Sequence, residues 1–127
     1  MHDSHLYEYA VLRYVPRVER EEFVNIGLAM MCKRRRWLRL EVSIDERRLA
    51  AFAGSIPVEC LRRQLDAFRA IAAGRPEAGP IAAYPVEERF RWLTAEKSAC
   101  LRTSAVHPGL TDDLDATFAR LFEELVL

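Results

Sequence analysis

Two strand-like runs separated by a short polar turn constrain the fold of this chain most strongly. The run from Phe23 to Cys32 is apolar at odd and even positions alike, which is typical of a central strand covered on both faces. After the turn at residues 33–35, the run 36–44 has Leu38, Leu40, Val42 and Ile44 at every second position, alternating with Trp37, Arg39, Glu41 and Ser43. This period of two is the pattern of a half-buried strand. A turn this short joins antiparallel strands, so we predict a β-hairpin within an antiparallel sheet.

Further strands and helices follow from the same kind of pattern. Residues 6–15 are rich in aromatic and β-branched types and stop at Pro16, which indicates a first strand. Apolar residues spaced by three and four predict two amphipathic helices, one over 58–72 and one near the end of the chain. The second has Thr111 as its N-cap, Asp112 and Asp113 in its first turn, and an apolar stripe that runs from Leu114 to Leu125. Weaker patterns predict a short helix after Asp45, a connection over 74–85, a helix over 86–95 and a strand over 99–106. This order predicts an α+β fold, a mostly antiparallel sheet of about four strands with helices covering at least one face.

Length and composition restrict the classes of protein. A chain of 127 residues fits a single domain, residues 1–127, and its 19 basic and 19 acidic residues give a formal net charge of zero. Bulk charge therefore draws the chain neither to nucleic acid nor to a membrane surface. We find no apolar run near the ~20 residues of a transmembrane helix and no secretory signal pattern. We expect a soluble cytoplasmic protein whose three cysteines are reduced: Cys32, Cys60 and Cys100.

Polar residues interrupt the core pattern of the first two strands. Arg13 lies on an otherwise apolar strand face, and Asn25 and Gly27 lie inside the central apolar run. A buried guanidinium needs an anion or several acceptors, because leaving it unpaired costs several kcal/mol. In one interpretation Arg13 pairs with a carboxylate of Glu19, Glu21 or Glu22, Asn25 bonds the loop backbone and Gly27 makes room for a neighbour. In the other, an anion or polar ligand binds in a pocket formed by Arg13, Arg17, Arg20 and Asn25.

His107 is the candidate acid or base. Ser104 and Cys100 precede it closely, so it could activate a nucleophile, or it could border a pocket as a ligand-binding residue. No spacing motif selects an acid to orient its imidazole, and the catalytic residues stay unknown. His2 and His5 on the terminus make a poor metal site, and we predict neither a metal nor a cofactor.

Two basic and aromatic segments could bind macromolecules. The run 33–39 combines five positive charges with Trp37, which could hold a phosphate backbone and stack a base; otherwise it is a solvated turn that discourages edge pairing. The segment after residue 86 could form a protein-binding surface, since Arg and Trp are common at interface hot spots, or Phe90 and Trp92 could pack over the sheet. Its candidate interaction residues are Arg89, Arg91 and Trp92.

Three blocks of residues, spanning nearly the whole chain, carry a family resemblance. The first block is Tyr9, Arg13, Tyr14, Pro16, Arg17, Glu19, Arg20, Glu22, Phe23, Asn25 and Gly27; the others are residues 89–94 and Thr103, Ser104, His107 and Gly109. With these the chain resembles the bacterial domain-of-unknown-function family 3037. The resemblance implies a bacterial partner or regulator of a HipA-family serine/threonine kinase, and it carries over no catalytic residues.

These observations leave three functional hypotheses. The first is a non-enzymatic protein-binding or regulatory module whose partner is another protein and could be that kinase; a homo-oligomer is also compatible. The second is a small enzyme acting on a phosphorylated or acidic ligand held by Arg13, Arg17 and Asn25. It needs His107 within about 10 Å of Arg13 for proton transfer. The third is nucleic-acid binding through residues 33–39.

Overall fold

A five-stranded antiparallel sheet forms the centre of the fold. The computed structural model describes residues 4–15, 23–47, 49, 58–95 and 101–127, without the side chains of residues 58 and 60. The strands are β1 (His5–Tyr14), β2 (Val24–Cys32), β3 (Trp37–Val42), β4 (Leu101–Thr103) and β5 (His107–Thr111). Their order is β3-β2-β1-β4, and β5 also pairs with β1. Every pairing is antiparallel, and β2 lies inside the sheet as predicted.

Helices pack on both faces of the sheet. These are α1 (Val58–Ala72), α2 (Val86–Thr94) and α3 (Leu114–Leu125). Side chains of α1 and α2 form one core cluster with Leu12 and Tyr14 of β1. Side chains of α3 form a second cluster with Tyr7 and Val11 of the same strand. Alternate residues of a strand point to opposite faces, so the sheet has an α1–α2 face and an α3 face. The predicted α+β fold is confirmed.

A β-bulge in β2 changes which face its residues occupy. Leu12 pairs with Gly27 and Arg13 pairs with Asn25, so Ile26 is an extra residue in the ladder. In an unbroken register Asn25 would pair with Tyr14 and share its face; the bulge instead turns Asn25 to the α3 face, beside Arg13. A Cβ added at Gly27 would lie 2.8 Å from Val42 Cγ1, which confirms that this glycine makes room for a neighbour.

The last quarter of the chain differs from the prediction in two ways. The predicted strand over 99–106 is the shorter β4, and β5 follows it, although Pro108 and Gly109 disfavour strand structure. Pro108 is tolerated because β5 is an edge strand. Proline has no backbone N–H to donate, and an edge strand can lack that donor on its solvent side without losing a hydrogen bond to a neighbouring strand. Thr111 is the last residue of β5, and its prediction as the N-cap of α3 is wrong. Asp113 caps that helix, its Oδ1 accepting from the backbone N–H of Ala116 at 3.0 Å.

The proline-rich connection is more regular than predicted. Two short 3₁₀ turns, Pro76–Ala78 and Pro80–Ala83, replace the structureless segment expected over 74–85. A proline starts each turn because its fixed φ suits the first helical position and its missing N–H costs nothing there. Gly79 joins the turns with φ 95°, a conformation that favours glycine. Of the short helix predicted after Asp45, residues 46, 47 and 49 are described and helical, and Leu49 is buried. The rest of that predicted helix lies outside the described residues.

Candidate functional site

Arg13, Asn25 and Arg102 form a row across three adjacent strands. Arg13 of β1 pairs with Asn25 of β2 on one side and with Arg102 of β4 on the other. Directly opposite residues of antiparallel strands share a face, with their Cβ atoms about 4.5–5.5 Å apart. The three side chains therefore project together from the α3 face, and we call them the arginine row.

The contacts of the arginine row leave much of its hydrogen-bonding capacity unused. The Arg13 guanidinium lies 4.1 Å from the ring centroid of Phe23, and Asn25 Nδ2 donates to the carbonyl of Leu125 at 3.0 Å. Three buried atoms have no hydrogen-bond partner: Arg13 Nε, Asn25 Oδ1 and Arg102 Nε. Within the described part of the chain, no carboxylate forms an ion pair with either arginine.

The structure thus brings together two of the predicted ligand-binding residues, Arg13 and Asn25. Arg17 and Arg20 lie outside the described residues, as do Glu19, Glu21 and Glu22. Arg102 is a member of the row that sequence reasoning missed. Its strand is only three residues long, and no local pattern shows that β4 lies opposite the end of β1.

His107 lies on the α3 face but away from the arginine row. It pairs with Tyr9, and the two ring centroids are 5.3 Å apart. Tyr9 and Arg13 are four residues apart along β1, which is about 13 Å at 3.3 Å per residue. The buried Ser104 hydroxyl accepts from Val11 N–H and donates to the carbonyl of Ala105, both at 2.9 Å. This geometry gives no support to an acid–base arrangement of His107 with Ser104 or Arg13.

The basic hairpin turn is exposed, but its neighbouring strand residues are packed. Residues 33–36 form the turn, and Arg36 has a φ of 52°. The Trp37 ring contacts Phe118 of α3 edge-on, with centroids 6.3 Å apart. Arg39 lies over the same Phe118 ring and pairs with Asp115 at 3.0 Å. The aromatic ring and one charge predicted for nucleic-acid binding therefore hold α3 against the sheet.

Two clefts meet at the hairpin turn. Each encloses about 560 Å³, and Lys33 lines both. The mixed cleft is also lined by Arg36, Glu87 and Arg89 and by residues 83–86. The apolar cleft is lined by Ser4, Leu6, Arg34 and Leu110. We call the two together the hairpin groove. Leu6 and Leu110 are cross-strand partners on β1 and β5, on the α1–α2 face beyond the helices.

The predicted protein-interaction residues have contacts within the fold. Arg89 donates to the carbonyls of Ile71 and Ala72 at the end of α1, at 3.0 and 2.8 Å. Trp92 packs edge-on against Phe68 of α1, with ring centroids 5.7 Å apart, and stays 37% exposed. Arg91 pairs with Glu88 at 3.1 Å on the surface. Phe90 is buried in the α1–α2 core.

The described residues contain neither a metal-binding cluster nor a membrane-spanning helix. Within those ranges, no group of three or more His, Cys, Asp or Glu could hold a metal ion. None of the helices described is long and apolar enough to cross a bilayer. Cys32 is free and buried, as expected; the side chains of Cys60 and Cys100 are outside the description.

Comparison with known proteins gives one match. The model of a family described as "Protein of unknown function (DUF3037)" matches residues 9–126, which include the whole arginine row. No curated protein and no solved structure matches the chain.

Proposed function

The chain belongs to the DUF3037 family, and we propose that it is a non-enzymatic protein-binding module. Its hairpin groove binds a segment of a partner protein that carries acidic residues and an apolar side chain. The observation that carries the proposal is the cross-strand pair Leu6 and Leu110, whose side chains are 62% and 69% exposed. Single exposed apolar residues are common, but an adjacent pair on ordered strands forms a continuous patch. Contiguous exposed apolar surface, unlike scattered single residues, is typical of interaction sites when its area is large.

The charges beside the patch favour an acidic partner. Lys33 and Arg34 line the apolar cleft, and Arg36 lines the mixed one. All three are exposed, and no carboxylate among the described residues pairs with them. Opposite charge on a partner would steer association and fix its orientation, while burial of the two leucines would supply affinity. The family resemblance supports one candidate partner, a HipA-family serine/threonine kinase.

Nucleic-acid binding is a weaker interpretation of the same turn. Its stacking ring would be Trp37, which packs against Phe118, and the net charge of the chain is zero. A protein partner uses the leucine patch as well as the charges, whereas a nucleic acid would use the charges alone.

The experiment is co-expression with a HipA-family kinase, followed by size exclusion and titration calorimetry. We expect co-elution at micromolar concentration, and an affinity at least tenfold lower for Leu6→Asp or Leu110→Asp, the size of effect seen at interface hot spots. The matched control is Leu127→Asp, because Leu127 is 71% exposed but lies outside the groove. Lys33→Glu with Arg34→Glu should weaken binding most at low salt. Separate elution, or binding unchanged by both leucine variants, would contradict the proposal.

A further inference from the structure

We infer that the arginine row is a binding site for the dianionic phosphate group of a small molecule, on the face of the sheet opposite the hairpin groove. Arg13 and Arg102 are directly opposite each other on neighbouring strands, and both are half-buried. Like charges in this arrangement destabilise a sheet. An anion bound between the two guanidinium groups would be attracted to both of them, and these two attractions would offset the repulsion between the arginines.

Both arginines of the row also have a hydrogen-bond donor that no group of the protein uses. The Nε atoms of Arg13 and Arg102 are buried without partners. A guanidinium offers N–H donors in a planar fork that matches the oxygens of a phosphate or carboxylate. Two guanidinium groups carry two positive charges, which match a phosphate monoester of charge about −1.5 to −2 better than a single carboxylate.

Contacts within the fold hold the arginine row in shape before any ligand binds. The bulge in β2 turns Asn25 to the same face as Arg13, and bulges of this kind re-aim side chains beside binding sites. The Phe23 ring supports the Arg13 guanidinium, and Asn25 is fixed by its bond to Leu125. The remaining acceptor, Asn25 Oδ1, is available to a donor on the non-phosphate part of the ligand.

The experiment measures thermal stability in phosphate and in chloride at equal ionic strength. Because a ligand that binds only the native state raises its stability, we expect 20 mM phosphate to raise the Tm of the wild-type chain by about 3 °C or more. The rise should vanish in Arg102→Gln and persist in Arg63→Gln, which removes an exposed arginine of α1. If Arg102→Gln does not fold, Arg102→Lys keeps the charge without the fork and should bind phosphate at least fivefold more weakly by calorimetry.

Further binding measurements compare compounds that carry a phosphate group on different organic parts. Adenosine monophosphate, glucose 6-phosphate and O-phosphoserine are compared with inorganic phosphate, and the tightest-binding probe identifies the ligand's non-phosphate part. In Asn25→Ala that preference should decrease while inorganic phosphate still binds. A wild-type Tm that is equal in phosphate and chloride would overturn the proposal, as would a rise that survives Arg102→Gln.

Discussion

Replacing Gly27 by alanine tests the packing that surrounds the β-bulge. The new Cβ would lie 2.8 Å from Val42 Cγ1 and 2.9 Å from the carbonyl oxygen of Glu41. Gly27 does not have a positive φ, so the cost comes from space and not from backbone conformation. Losing a glycine restricts the unfolded chain and stabilises by about 0.4–1 kcal/mol, whereas overpacking a core costs about 1–3 kcal/mol. Overpacking dominates here, since the Glu41 carbonyl belongs to the β3 backbone and cannot rotate away. We expect a net loss of about 1–2 kcal/mol.

Urea unfolding measures this loss. With an m-value of about 2 kcal/mol/M, the midpoint should fall by roughly 0.5–1 M while the slope stays the same. In the double variant with Val42→Ala, the cost of Gly27→Ala should fall by about half, because one of its two close contacts is gone. Gly79→Ala is the contrasting control: its added Cβ meets no atom within 4 Å, so Val42→Ala should not alter its cost. An unchanged midpoint for Gly27→Ala, or losses that simply add in the double variant, would refute the reasoning.

Three further predictions concern the ends of secondary-structure elements. Asp113→Ala should lower the free energy of unfolding by about 1 kcal/mol in urea titrations, because α3 loses its capping acceptor. Arg36→Gly should raise the Tm, with a gain of about 0.5–1 kcal/mol, since the φ of 52° is unfavourable for a residue with a side chain; a lower Tm would contradict this. Arg89→Met should cost about 2 kcal/mol and speed amide exchange in α1 and the 3₁₀ turns, because the carbonyls of Ile71 and Ala72 lose a charged donor. Unchanged exchange there would refute the assigned role of Arg89.

The sequence predicts the elements whose apolar periodicity is long and regular. β2, β3 and α3 are confirmed. Each has a regular apolar pattern in the sequence that continues over most of its nine, six or twelve residues. β5 is missed because its sequence, HPGLT, contains the two residues that strands avoid. Its strand conformation depends on pairing with β1, a long-range contact that no local window contains. The N-cap of α3 is displaced by two residues because Thr111 and Asp113 are both good capping residues, and only the end of β5 decides between them.

The residues of the two candidate sites also differ in whether a local sequence pattern can reveal them. Arg13 and Asn25 are detectable because a polar residue within an apolar strand is a local signal. Arg102 is not, because its relation to Arg13 depends on the register between β1 and β4. The leucine patch is equally hidden, since Leu6 and Leu110 are ordinary strand residues until β5 pairs with β1.

The two short strands that share one side of β1 affect the order in which the molecule can fold. β2 follows β1 closely in the sequence and can pair with it early in folding. The backbone groups on the other side of β1 stay unpaired until β4 and β5 have formed. The backbone N–H of Val11, for example, bonds to Ser104, which is 93 residues away in the sequence. Contacts between such distant positions slow folding, and an unpaired strand edge invites pairing with another chain. During synthesis on the ribosome, that side of β1 therefore stays open until residues 101–111 have emerged. Newly made chains should need chaperone protection most in that interval.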